Sequence, residues 1–143
     1  LIRTFDMTRD RTYLDAATRA MRALAGLLRA DASILYDNFA GKPPHEGSYT
    51  GSAVAFAGHQ WLKLKQRGVT GFDKNIERSL AGVLANRYPG DYPDPHVAGG
   101  FVDTRVRAPG GRVTMVNRGD IATSFAVRFL TAVHRDRFPA KAP

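Results

Sequence analysis

One seven-residue pattern occurs twice, Arg22-Ala23-Leu24-Ala25-Gly26-Leu27-Leu28 and Arg78-Ser79-Leu80-Ala81-Gly82-Val83-Leu84. Each copy lies late in an amphipathic stretch, and each stretch opens on a capping signal, Thr12-Tyr13-Leu14-Asp15 or Thr70-Gly71-Phe72-Asp73. In such a signal the hydroxyl accepts from orphan N–H groups while the carboxylate reaches back toward the positive helix end. An internal repeat of helical type implies stacked units that bury their apolar faces on each other. The chain therefore reads as repeated helix pairs.

The periodicity separates two kinds of helix. Tyr13, Ala17, Met21, Leu24 and Leu28 form one stripe, and Phe72, Ile76, Leu80, Val83 and Leu84 form another, which makes Tyr13–Leu28 and Phe72–Arg87 one-sided. Tyr49–Lys65 and Asp120–His134 are apolar or small on every side over several turns and are expected inside. The order predicts outer and inner helices in alternation, with Leu1–Phe5 as the end of a preceding inner helix. On this reading the chain begins within an element. It is either a single α-helical domain over residues 1–143 or a piece of something larger.

Two connections interrupt the helices. Asp31–Ser48 holds Pro43, Pro44, Gly41 and Gly47, which exclude regular structure and deliver the chain to the start of an inner helix. Tyr88–Gly119 opens on a proline-rich stretch and then alternates apolar and polar residues through Val102–Arg107. Ala108-Pro109-Gly110-Gly111 is a turn, and Arg112–Val116 returns, which predicts one small β-hairpin within a loop.

Both loops reach the same end of the inner helices, so that end is the expected functional face. Glu46, His45, Tyr49 and Asp94 are the candidate catalytic residues. Asp37, Tyr92, His96, Asp103 and Arg105 are the candidate substrate-binding residues. Carboxylic acids supply acid and base in glycoside cleavage, whereas Tyr, His and Arg can abstract a proton and neutralise a uronate in elimination. Each residue also has a purely structural role open to it. Asp91 and Asp94 suit turns between prolines, Asp120 suits an N-cap, and Asp103 and Arg105 fit as a same-face pair on a strand. His59, beside Trp61, reads as a hydrogen-bonded core histidine, and His134 suits the last turn of a helix.

Composition narrows the chemistry. The absence of cysteine removes disulfides, a thiolate nucleophile and Cys-containing zinc sites. The four histidines have no metal-ligand spacing, and no cofactor motif is present, so neither a metal nor a cofactor is expected. A net charge of +8, dispersed along the chain, favours an anionic partner or simply a solvated surface. Nucleic acid is disfavoured, since no helix-turn-helix, finger or aromatic-studded basic strand is visible. No apolar run reaches the length of a membrane span. The compartment stays open, secreted, periplasmic and cytoplasmic alike.

The run Leu1-Ile2-Arg3-Thr4-Phe5-Asp6-Met7-Thr8-Arg9-Asp10-Arg11-Thr12-Tyr13-Leu14-Asp15-Ala16-Ala17 resembles the inner-helix end, polar turn and Tyr-Leu-x-Ala-Ala outer-helix start of the α/α-toroid enzymes of the six-hairpin glycosidase-like group. Gly47-Ser48-Tyr49-Thr50-Gly51 is similar to their loop-to-inner-helix junction. The resemblance implies an all-α arc of antiparallel helix hairpins, matching only the C-terminal part of a toroid. It also implies a carbohydrate-active enzyme, glycoside hydrolase or polysaccharide lyase, acting on an oligo- or polysaccharide that is anionic where arginine meets a uronate. The different-class alternative is a non-catalytic helical-repeat module that binds an acidic partner. An open arc would expose apolar inner faces, which further chain or self-association would cover.

Overall fold

The structure, a computed structural model, describes residues 1–35, 48–107, 113–116 and 120–139. The chain is predominantly helical. Its described elements are α1 (Ile2–Thr8), α2 (Arg11–Leu27), β1 (Ser48–Thr50), α3 (Gly51–Lys65), α4 (Asp73–Ala85), β2 (Thr104–Arg107), β3 (Val113–Val116) and α5 (Asp120–Arg137). The three strands form one antiparallel sheet in the order β1-β2-β3, with Tyr49 opposite Arg105 and Arg105 opposite Met115.

α3 is the shaft around which the rest packs. It lies against α2, α4 and α5, and Val54, Ala55, Ala57, Gly58, Trp61, Leu62 and Leu64 are buried along it. Gly58 is where three helices converge: a Cβ added there would sit 2.5 Å from the Phe129 ring and 2.8 Å from Ser79 Cβ. Small residues are needed at this crossing because side chains would hold the axes apart. Three residues on, Trp61 is fully buried, lies 6.3 Å from the Phe72 ring and donates its indole N–H to Met21 O at 3.0 Å, which ties α3 to both α2 and the α4 start.

α5 departs from its expected place. Its buried residues are Ala122, Ala126, Phe129 and Val133, a single stripe at helical spacing, while Ile121 and Val127 are exposed. It is one-sided, because among the described elements it packs chiefly on α3. Phe125 is half-buried and meets the 43% exposed Phe56 edge-on at 5.7 Å, so these two helices carry an uncovered apolar strip. Arg19 is exposed and Arg78 half-buried, as befits the outer sides of α2 and α4.

The repeated heptapeptide does not mark equivalent surfaces. In the second copy Ser79, Gly82 and Val83 are buried and Leu84 is 53% exposed; in the first, Ala23, Gly26 and Leu27 face solvent and Leu28 is buried. Gly82 abuts Ala32, whereas nothing lies within 4 Å of a Cβ on Gly26. The two helices are rotated differently against their neighbours, and local similarity does not set that rotation.

The caps also differ from expectation. Asp10, not Thr12, caps α2, its carboxylate accepting the Thr12 N–H at 2.9 Å. At α4 the cap position belongs to Phe72, without a side-chain bond. Burying that ring beside Trp61 fixes the helix start, so packing replaces a hydroxyl cap. α1 ends on Arg9 in the left-handed region at φ 60°.

Candidate functional site

Where α3 begins, four segments enclose a cavity of about 170 Å³. The first is the turn Asp31-Ala32-Ser33 after α2, in which Asp31 Oδ1 accepts from the Ser33 hydroxyl at 2.6 Å and from its N–H at 3.0 Å. These bonds, the hydroxyl above all, hold the Asp31 carboxyl below its usual 3.8, with the positive Arg29 acting in the same direction. Ala32 adopts φ 60°, and a Cβ on Gly82 would lie 2.8 Å from Ala32 O, so the turn is pressed onto α4. Arg78 secures the end of α2 by donating to the Leu28 and Arg29 carbonyls.

The second segment is the start of α3 itself. Thr50 occupies the cap position without capping, and its hydroxyl instead shares a 2.9 Å hydrogen bond with that of Ser52. Gly51 donates its N–H to Asp103 O at 2.5 Å, and a Cβ there would collide with Val102 O. Only glycine permits that approach. The third segment is the end of α4, where Asn86 O accepts the Val102 N–H at 2.8 Å. The fourth is β2 with the residue leading into it.

Asp103 and Arg105 bring the chemistry. Asp103 is 5% exposed, and its Oδ1 has no hydrogen-bond partner among the described residues. Arg105 Nε is buried and equally without a partner, while its Nη2 donates to Ala85 O at 3.3 Å. Strand alternation places the two side chains on one side, and both line the cavity. Buried polar atoms are nearly always paired, since an orphan forfeits its water without recompense. Both residues line the cavity, although these two atoms themselves are shielded from solvent. Thr104 Oγ1 and Ser79 Oγ are also buried without partners, but neither residue lines the cavity.

Of the sequence candidates, Asp103 and Arg105 are brought together here. Tyr49 stands opposite Arg105 in the β1–β2 register. His45, Glu46 and Asp37 lie outside the described residues. Asp94, His96 and Tyr92 belong to the loop between α4 and β2 and do not line the cavity. Asp94 Oδ1 accepts the His96 N–H at 2.9 Å, and its carbonyl accepts from Val97 and Ala98, the turn-forming role open to it in the sequence. Tyr92 packs edge-on to the buried Tyr88 at 4.8 Å; burial raises the Tyr88 pKa above 10.0, Tyr92 adding to the rise and Arg105 opposing it. The loop is closed at its base by Tyr88 N–H to Gly100 O at 2.8 Å.

Asp31 and Asn86 are lining residues that the sequence reading did not single out. An Asp-x-Ser turn is a visible signal, but nothing local says that it meets a strand some seventy residues away. The histidines lie elsewhere. His59 is half-buried on α3 with no hydrogen bond to a described residue, so it is not the bonded core histidine expected; burial pulls its pKa below 6.5, helped by Lys63 and Arg128. His134 is exposed, its ring 5.2 Å from that of Phe138. Among the described residues no cluster of three potential metal ligands occurs, and no helix is long and apolar enough to cross a membrane.

No family model, no curated protein and no solved structure matches this chain.

Proposed function

We propose that the chain is an arc of a carbohydrate-active α/α toroid, of glycoside hydrolase or polysaccharide lyase type, and that the cavity at the start of α3 holds a sugar unit of its oligo- or polysaccharide. The observation that carries this reading is a small cavity of mixed lining that brings together Asp31, Asn86, Asp103 and Arg105, the last two each burying an atom without a partner among the described residues. A sugar ring offers hydroxyls for the polar residues of this lining, together with C–H faces for Val54 and Val102. The exposed Phe56 and half-buried Phe125 support the arc, since a closed toroid would cover such a strip with the next hairpin.

Catalysis in this proposal falls to Glu46 as the acid, with His45 and Tyr49 near it in the sequence and Asp94, from the loop between α4 and β2, as partners. Glu46→Gln keeps the shape of the side chain and removes its proton, so turnover of the processed glycan should fall on the order of 10²-fold or more with folding intact. Unchanged turnover removes Glu46 from the mechanism. Saturation-transfer NMR with a panel of oligosaccharides tests the binding step directly: signals on one glycan that vanish in Asp103→Asn are expected.

A second reading has its own observation. At the other end of α3, Arg11, Arg19, Arg22 and Arg67 line an open groove in which Asp15 is the one acid among the described residues. This favours a non-catalytic helical module that meets an acidic partner. Binding to an acidic polymer that is abolished by Arg19→Glu with Arg22→Glu, without any glycan turnover, would select it.

A further inference from the structure

We propose that the arginine groove, at the opposite end of α3 from the cavity, binds a linear polysaccharide whose carboxylate or sulfate groups are spaced apart by hydroxyl-bearing units. This names the acidic partner of the second reading and rests on that reading. It does not depend on what fills the cavity.

The groove, about 560 Å³ in volume, runs between α2 and the turn that follows α3. Arg11, Asp15, Arg19 and Arg22 on α2 are exposed, and none of their side chains forms a hydrogen bond or ion pair with a described residue. The other polar groups of the lining are already engaged. Arg67 is held by Asp6 and by Lys63 O, the Thr18 hydroxyl donates to Leu14 O at 2.8 Å, and the Gly68 and Val69 N–H groups donate to Lys65 O and Leu64 O. What the groove offers a ligand is therefore the α2 guanidinium groups and the Asp15 carboxylate.

Their order along the helix sets the pattern. Residues 11, 15, 19 and 22 share one face and rise over about 16 Å, at about 1.5 Å per residue. Arg19 and Arg22 stand a turn apart, close enough to grip one oxyanion together, while Arg11 lies two turns from Arg19 with Asp15 midway. A ligand along this face must present oxyanions toward both ends and, opposite Asp15, a hydrogen-bond donor without negative charge. Duplex DNA carries a charge about every 3.4 Å along each strand, and a run of acidic side chains is as unbroken, so both set negative charge against Asp15. A polysaccharide with a uronate or sulfate on alternate units sets hydroxyls there. Among the described lining residues there is no ring on which a base could stack, and Val69 alone is a poor anchor for an amphipathic peptide. The side chains outside those described add Asp37, Glu46 and Asp120 to the acids but Lys42, Arg107, Arg112, Arg118 and Lys141 to the cations, so the chain stays basic with or without them.

The test titrates the full chain by calorimetry, at neutral pH and physiological ionic strength, with hyaluronan, chondroitin sulfate, duplex DNA and poly-glutamate of matched length. At least one polysaccharide is expected to bind about tenfold tighter than DNA or poly-glutamate, and the comparison of hyaluronan with chondroitin sulfate separates carboxylate from sulfate recognition. Arg19→Gln with Arg22→Gln, both at exposed positions, should weaken that binding about tenfold or more while the thermal midpoint stays in place. Asp15→Ala should weaken the polysaccharide and strengthen DNA, because it removes an acceptor for hydroxyls and a repulsion toward phosphates together. DNA or poly-glutamate binding as tightly as either polysaccharide overturns the polysaccharide assignment and leaves the acidic-partner reading standing. Binding of none of the four overturns both, and polysaccharide binding indifferent to these substitutions overturns the groove as its site.

Discussion

The two ends of α3 are built on opposite principles. At its C-terminal end, polar groups are matched within the protein. Arg67 grips Asp6 with two N–H groups and also donates to Lys63 O, Lys65 lies 2.9 Å from Asp73, Gln66 donates to Asp136, and Arg137 pairs with Glu77. At its N-terminal end, Asp103 and Arg105 bury atoms that no described group satisfies, beside a cavity. The same helix thus has one end tied by paired side chains and one where buried polar atoms lie unpaired beside a cavity. Satisfied pairs fix helices to one another, whereas unsatisfied buried groups lower stability and persist where something else completes them.

The largest expected effect comes from the shaft common to both ends. Trp61→Ala empties a fully buried site and removes the bond to Met21 O, and should cost about 3–5 kcal/mol in denaturant unfolding. Gly58→Val follows, at roughly 1–3 kcal/mol, because the buried Phe129 ring leaves no room for a side chain. Either variant unfolding as readily as wild type would mean that the two ends do not share one core.

At the paired end, Arg67→Ala should lower the thermal midpoint, and salt should shrink the difference between variant and wild type. The carboxyls of Asp6 and Asp73 are held below the usual 3.8 by Arg67 and Lys65 respectively. A lowered carboxyl pKa contributes stability that is complete above 3.8 and disappears as pH falls through the lowered value. The acid limb of a midpoint-against-pH curve should accordingly be shallower in Asp6→Asn. The smallest effect concerns His59, whose neutral form the fold favours: its contribution is complete above pH 6.5 and declines as pH drops below it. His59→Gln should flatten that slight slope, and an unchanged slope would assign it to another group.

Much of the framework was legible in the residues. Apolar periodicity located α2, α3, α4 and α5, and the alternation of Val102–Arg107 against Arg112–Val116 located the β2–β3 pairing. What escaped depends on distant partners. β1 is only three residues long and owes its conformation to β2, and the start of α4 is set by Phe72 packing near Trp61 instead of by Thr70. The exposed side of α5 was unreadable for the same reason, since Ile121 and Val127 look like core residues until the neighbouring elements are known. In the cavity, Asp103 and Arg105 were legible as a same-face pair by their spacing of two. Asp31 and Asn86 were not, because their convergence on that pair is a product of the tertiary fold.

The central claim, that the start of α3 is held open for a ligand, is tested most directly by the thermal midpoint of wild type and Asp103→Asn, with and without a saturating glycan. The account predicts that the variant alone melts at or slightly above the wild-type midpoint, because the Asp103 Oδ1 that it alters is buried without a partner among the described residues and holds no other element in place. It also predicts that the glycan raises the wild-type midpoint and leaves the variant where it was. A variant that melts well below wild type, together with a glycan shift of equal size in both proteins, would contradict the claim and make Asp103 a structural residue.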